Sequence, residues 1–186
     1  SDRRQLQEKI KRLEKDLEQV RRTRQLHRAQ RKKAPHPVVA LVGYTNAGKS
    51  SLLRSLSGAE LFVEDRLFAT LDPTTRTVEV GDGLDVLITD TVGFIRKLPH
   101  HLVASFRSTL EEAREADLLA HVIDASFPGW EEQKAVVEDV LDDLDLGGRP
   151  QILIFNKIDR LTHAEEEALS RRIRAFDTTP AVFLSA

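Results

Sequence analysis

Gly43-Tyr44-Thr45-Asn46-Ala47-Gly48-Lys49-Ser50 fits GxxxxGKS and stands between an apolar run, Val38 to Val42, and a segment with helical character over 49–57. A strand, a glycine-bearing loop and a helix N-terminus in that order form a cradle for phosphate. Loop N–H groups and the positive end of the helix dipole face the α- and β-phosphates, Lys49 reaches the β/γ oxygens, and the Ser50 hydroxyl ligates Mg2+. The cradle runs from Gly43 to Ser51. The competing reading is a surface loop that matches by accident, and two later motifs weigh against it.

Asp90-Thr91-Val92-Gly93 follows the apolar run Leu84 to Thr89 and fits DxxG. Asp90 would hold Mg2+ through water, and the Gly93 N–H would bond the γ-phosphate only while it is there, so the loop that follows senses the nucleotide state. Asn156-Lys157-Ile158-Asp159 fits NKxD at the end of the apolar run Ile152 to Phe155. The Asp159 carboxylate can accept two hydrogen bonds from the N1 and N2 edge of guanine, where adenine has no such donor pair. Asn156 would tie this loop to the phosphate loop, and the Lys157 stem would cover the base. A local alternative makes Asp159 the N-cap of a helix over Leu161 to Phe176. Ser185-Ala186, after the apolar run Ala181 to Leu184, resembles the short motif whose backbone N–H contacts the guanine oxygen in GTPases.

The 186 residues suffice for one sizeable domain with an appendage. No run of about 18 apolar residues offers a membrane span. With no cysteine there is no disulfide framework and no thiolate metal site, which suits a reducing cytoplasm. Methionine is missing even at position 1, so the chain is expected to be part of a longer protein.

Charge divides the chain. Residues 1–33 carry 13 Lys/Arg against 5 Asp/Glu, whereas 34–186 carry 15 against 25. In the first part Leu6, Ile10, Leu13, Leu17 and Val20 form a heptad seam, which lapses at Arg24 and His27 before Ala34-Pro35-His36-Pro37 ends the helix. The expected division is a basic amphipathic helical segment over 1–34, without its partner helix, and a domain over 35–186 that carries the three motifs. The basic side chains suit RNA phosphates or the solvated face of a coiled coil. For the isolated chain the expectation is either self-association through the seam or poor order before about residue 10.

From Val38 onward strand-like runs at 38–42, 77–80, 84–89, 118–123, 151–155 and 181–184 alternate with helical segments at 49–57, 99–114, 130–144 and 162–176. This alternation predicts an α/β fold, a mostly parallel six-stranded sheet with helices on both faces. Gly81-Asp82-Gly83 reads as a hairpin turn, which makes one edge strand antiparallel. The arrangement is Ras-like, and it stops short of the helix that ordinarily closes that fold.

The phosphate-loop string, together with Leu67-Phe68-Ala69-Thr70-Leu71-Asp72-Pro73-Thr74, Asp90-Thr91-Val92-Gly93-Phe94-Ile95, Leu98-Pro99-His100-His101-Leu102 and Phe106-Arg107-Ser108-Thr109-Leu110-Glu111-Glu112, resembles the HflX family of GTPases. The related Obg, Era and MnmE families share the Asn-x-Gly-Lys-Ser core but lack the Pro-His-His stretch. The resemblance implies a switch that binds GTP or GDP, associates with the large ribosomal subunit and rRNA, and splits or rescues stalled ribosomes. It also implies a domain ahead of the linker. Other clients, such as tRNA modification or small-subunit assembly, and a non-catalytic guanine-nucleotide scaffold are the alternatives.

A second Mg2+ ligand, whose carbonyl also orients the attacking water, is sought among Thr70, Thr74 and Thr75. Likeness of Phe-x-Thr-Leu-x-Pro to the Obg group favours Thr70, flanked by Phe68, Ala69, Leu71 and Asp72; turn threonines around Pro73 are the alternative. Phe94 stands where Ras-type enzymes carry a water-orienting glutamine, so unaided hydrolysis is expected to be slow. Asn46 is a candidate K+ ligand or a stabiliser of the loop. His100 and His101 read as a helix start rather than a metal pair.

Overall fold

In the computed structural model, which describes residues 36–58, 74–91, 93, 94, 110 and 113–186, the run Val38–Gly43 is β1. Ala40 to Gly43 are buried on both faces, as a central parallel strand requires, and Val38 and Val39 are half-buried. The helix α1 (Lys49–Ser57) follows, then β2 (Thr74–Glu79), β3 (Asp85–Asp90) and β4 (Leu118–Asp124). The chain continues through α2 (Trp130–Asp143), β5 (Gln151–Asn156), a short 3-10 turn Ile158–Arg160, α3 (His163–Phe176) and β6 (Ala181–Phe183).

The six strands lie in the order β2-β3-β1-β4-β5-β6. All neighbours are parallel except β2 and β3, as the alternation and the glycine turn predict. The turn needs its composition, because Gly81, Asp82 and Gly83 all have positive φ, at 110°, 51° and 72°.

β2 begins at Thr74 rather than at residue 77. Its register runs from Thr74 opposite Asp90 to Glu79 opposite Asp85, so the partner strand sets its length. Thr74-Thr75-Arg76 shows no apolar run, yet threonine suits a pleated edge, and the hydroxyls of Thr75 and Thr89 meet across the ladder at 2.9 Å.

Side-chain alternation sorts the core into two layers. On one face Leu41, Ala120 and Val122 pack with Leu52 and Leu53 of α1 and with Val78, Val86 and Ile88. On the other face Ala40, Val42 and Leu119 pack with Val137 and Leu141 of α2 and with Leu110 and Phe94. α3 adds Leu169 and Ile173 against Ile123, Leu153 and Phe155. Each such Val, Leu, Ile or Phe side chain contributes about 1.5–3 kcal/mol on burial.

α3 starts with a capping box. Glu165 N donates to the Thr162 hydroxyl at 3.3 Å, and Thr162 N donates to the Glu165 carboxylate at 2.8 Å. Thr162, and not Asp159, is therefore the N-cap.

Several expectations fall outside the described residues: the helical seam over 1–33, the segment with Phe68, Ala69, Thr70, Leu71 and Asp72, the residue Val92, and the pair His100 and His101. Of the helix expected over 99–114, residues 110, 113 and 114 are described and are helical.

Candidate functional site

β3, β4 and β5 end on Asp90, Asp124 and Asn156, so the parallel register brings three polar side chains to one edge of the sheet. β1 ends there on Gly43 and turns into the loop that leads to α1. Gly48 is the N-cap of α1, with φ 100° and no side-chain cap, and the first turn carries no acidic residue. Neither the cap residue nor an acidic side chain of the first turn competes there with an anion for the helix N-terminus.

Lys49 is buried, and its Nζ donates to the carbonyl oxygens of Gly43 at 3.3 Å and Tyr44 at 3.2 Å. Burial pulls its pKa down to about 8, partly offset by the charge of Asp90. The Ser50 hydroxyl donates to Asp90 Oδ2 at 2.6 Å, while Ser51 follows it half-buried on α1. A hydroxyl and a carboxylate side by side are hard oxygen donors that suit Mg2+. Among the described residues no group of three or more His, Cys, Asp or Glu gathers.

The DxxG strand end is pressed on this loop. Phe94 N donates to Gly43 O at 3.0 Å, and Thr45 N donates to Phe94 O at 2.7 Å. A Cβ at Gly93 would sit 2.6 Å from Thr45 Cα and 2.9 Å from Thr45 Cβ, closer than packing permits. Glycine is therefore demanded at 93 by the phosphate loop itself. The Phe94 ring is fully buried among Ala40, Val42 and Leu110, so its position after DxxG serves the core and the loop and offers a water nothing polar. Thr91 is also buried, its hydroxyl donating to Leu41 O at 2.6 Å.

The second loop approaches from β5. Asn156 Nδ2 donates to Ala47 O at 3.0 Å, and its Oδ1 accepts from Lys157 N at 2.8 Å and Ala186 N at 3.0 Å. A Cβ at Gly48 would collide with Asn156 Nδ2, so this contact as well as the positive φ requires glycine there. Lys157 has φ 65°, and its Nζ donates to Asn46 O at 2.9 Å. Asn46 is itself left-handed, at φ 63°, and exposed.

Ile158 opens the 3-10 turn that carries Asp159, and its N–H donates to Leu184 O at 3.3 Å. Ser185 orients Asp159 twice. Its hydroxyl lies 2.6 Å from Asp159 Oδ1 and 2.9 Å from Asp159 N. The residues after β6 thus set Asn156 through Ala186 and Asp159 through Ser185.

Two residues of the site were not read from the sequence. Asp124 lies 2.9 Å from Lys157 Nζ through Oδ2, and its Oδ1 accepts from Ser126 N at 3.0 Å and Ser126 Oγ at 2.6 Å. Burial raises the Asp124 pKa, but the hydrogen bonds from Ser126 and Lys157 and the Lys157 charge outweigh it, holding the carboxyl below its ordinary value. Asp124-Ala125-Ser126 at the end of an apolar strand was the available signal, and it looks like any turn.

A family described as 50S ribosome-binding GTPase matches residues 38–157. GTPase HflX of Caldanaerobacter subterraneus is 56% identical over 160 residues, covering 86% of this chain and 37% of that protein. GTPase HflX of Escherichia coli K12 is 47% identical over 165 residues, covering 89% of this chain and 39% of that protein. The chain therefore spans well under half the length of these relatives. Among solved structures, a GTP-binding protein from Sulfolobus solfataricus in complex with GDP superposes with a TM-score of 0.63 at 27% identity, covering 95% of this chain and 55% of that one. The chain belongs to the family of 50S ribosome-binding GTPases and, within it, to the HflX GTPases, whose GTPase domain it covers.

Proposed function

We propose that this chain is the GTP-hydrolysing switch domain of a protein that docks on the large ribosomal subunit and helps to split or rescue ribosomes. The observation that carries the nucleotide reading is the double tie between loops. Consecutive residues Asn156 and Lys157 hold the carbonyls of Ala47 and Asn46, so a guanine at Asp159 and phosphates at Lys49 are read by one rigid assembly.

In this reading Lys49 exchanges its loop carbonyls for β/γ oxygens, and Ser50, with Asp90 acting through water, holds Mg2+. A Mg2+ held by Ser50 and, through water, by Asp90 would supply positive charge against the phosphates. Gly93 N–H faces the γ-phosphate, and Thr70 of the segment before β2 supplies the second ligand and orients the water. Thr74 and Thr75 are the less favoured ligands, since both lie in β2. Asn46, at the exposed rim of the loop, is assigned K+ in the transition state.

Phe94 gives the attacking water no polar partner, so hydrolysis is slow until the ribosome supplies or orders one. The ribosome reading is supported by the family's description and by the HflX relatives. The basic residues of 1–33 belong to the rRNA contact. No helix among the described residues is long and apolar enough to cross a membrane. A cytoplasmic site of action is part of the proposal.

Gradient sedimentation of ribosomes with the full-length protein tests this. With a non-hydrolysable GTP analogue the protein should travel with large subunits at the expense of intact ribosomes, and with GDP it should not. Migration with small subunits alone, or binding indifferent to the nucleotide, would move the protein to another client.

A further inference from the structure

Lys157 is held at both ends. Its backbone is left-handed, a conformation that costs a long side chain free energy unless its surroundings fix it, and its ammonium lies 2.9 Å from each of two acceptors, Asn46 O and Asp124 Oδ2. The first acceptor belongs to the phosphate loop. The second is the last residue of β4, directly beside Asn156 in the parallel register.

The Asp124 carboxylate is itself immobilised, because Ser126 occupies its other oxygen with two hydrogen bonds. Both partners of the ion pair are mostly shielded, with side-chain exposures of 14% for Lys157 and 16% for Asp124. A charge-assisted bond in such surroundings is stronger than one on an open surface. Through that one ammonium the end of β4 and the phosphate loop are joined.

We infer that Asp124 is a positioning residue of the guanine site: clamped by Ser126, it sets Lys157 so that the base-reading loop and the phosphate loop are locked together. The inference rests on the reading of Asn156-Lys157-Ile158-Asp159 as the guanine loop. Asp124 touches neither base nor phosphate in this role and acts through Lys157. Without its carboxylate, Lys157 recovers rotamer freedom, and the lock is reduced to the Asn156 bond.

The test uses Asp124→Asn, which keeps an acceptor for Ser126 and removes the charge facing Lys157. Dissociation of a fluorescent GDP, followed by stopped flow, should accelerate about 10-fold or more, the loss expected for a charge-assisted bond. Competition by inorganic triphosphate, which has no base, should stay within about 2-fold, because the phosphate cradle is retained. Ser126→Ala, which loosens Asp124 and leaves Lys157 alone, should give a smaller acceleration in the same direction.

In a Lys157→Met background, Asp124→Asn should add less than about 2-fold, since the two residues act as one unit. Unchanged GDP dissociation in Asp124→Asn, or equal acceleration with and without Lys157, overturns the inference. Parallel loss of triphosphate binding also overturns it, as that is the mark of general damage. Asp159→Asn serves as the separate control. If it fails to exchange guanine for xanthine preference, the reading of the loop fails, whereas a normal exchange with an inert Asp124 removes the positioning role alone.

Discussion

Asp159 and Lys49 carry opposite tasks and suffer opposite local physics. The Asp159 carboxylate sits on an exposed turn and is aimed by the Ser185 hydroxyl, so its selectivity depends on orientation more than on burial. Asp159→Asn should weaken GTP and admit xanthosine triphosphate, whose C2 oxygen can accept from the new amide. Competition binding with both nucleotides checks it, and equal loss of both would remove Asp159 from base recognition. Lys49 is instead buried, with its pKa near 8. Phosphate favours the ammonium, so nucleotide binding raises that pKa and takes up protons. Calorimetry at about pH 8.5 in buffers of different ionisation enthalpy should show uptake that fades toward about pH 7, where the lysine is already charged. Proton release at the higher pH would contradict it.

At the scale of elements, β4 combines a loop anchor at its end with a buried titratable group in its middle. His121 is almost wholly buried, its Nδ1 has no hydrogen-bond partner among the described residues, and burial, then Lys134, then Lys49 lower its pKa to about 3. The folded pKa lies below the unfolded one, so between about pH 6.5 and 3 the unfolded chain binds the extra proton and stability falls as pH falls. By pH 5 this single residue should cost about 2 kcal/mol relative to neutral pH. His121→Leu should flatten that part of the melting-temperature profile, and an unchanged slope would show that other groups govern acid sensitivity. The start of β2 shows a different limit of element reading. Thr74-Thr75-Arg76 joins the strand because β3 runs opposite it, a fact that an apolar pattern cannot carry. The start of α3 was legible in Thr162 and Glu165, although Asp159 competed for the same task.

At the scale of the whole molecule the sequence carries net charge of opposite sign in two parts, basic over 1–33 and acidic over 34–186. Leu6, Ile10, Leu13, Leu17 and Val20 would each forfeit about 1.5–3 kcal/mol if left in water, so the seam is expected to seek a helix. In the chain as it stands, concentration-dependent sedimentation should report self-association that Leu13→Glu abolishes. Fraying before about residue 10 is the alternative expected outcome. A strictly monomeric, fully helical segment that tolerates Leu13→Glu would show the seam reading to be wrong.

The sequence by itself determined the sheet class, the antiparallel edge and the three motifs at strand ends, because these depend on local periodicity and on spacings along the chain. Tertiary structure decided what the motif residues touch. Gly93 must be glycine because Thr45 packs on it, and Gly48 faces Asn156 across more than a hundred residues of chain. Phe94 belongs to the core as well as to the nucleotide loop. Asp124 joined the site only when parallel pairing set it beside Asn156, since register between distant strands is fixed by packing of both sheet faces and leaves no mark in either segment alone.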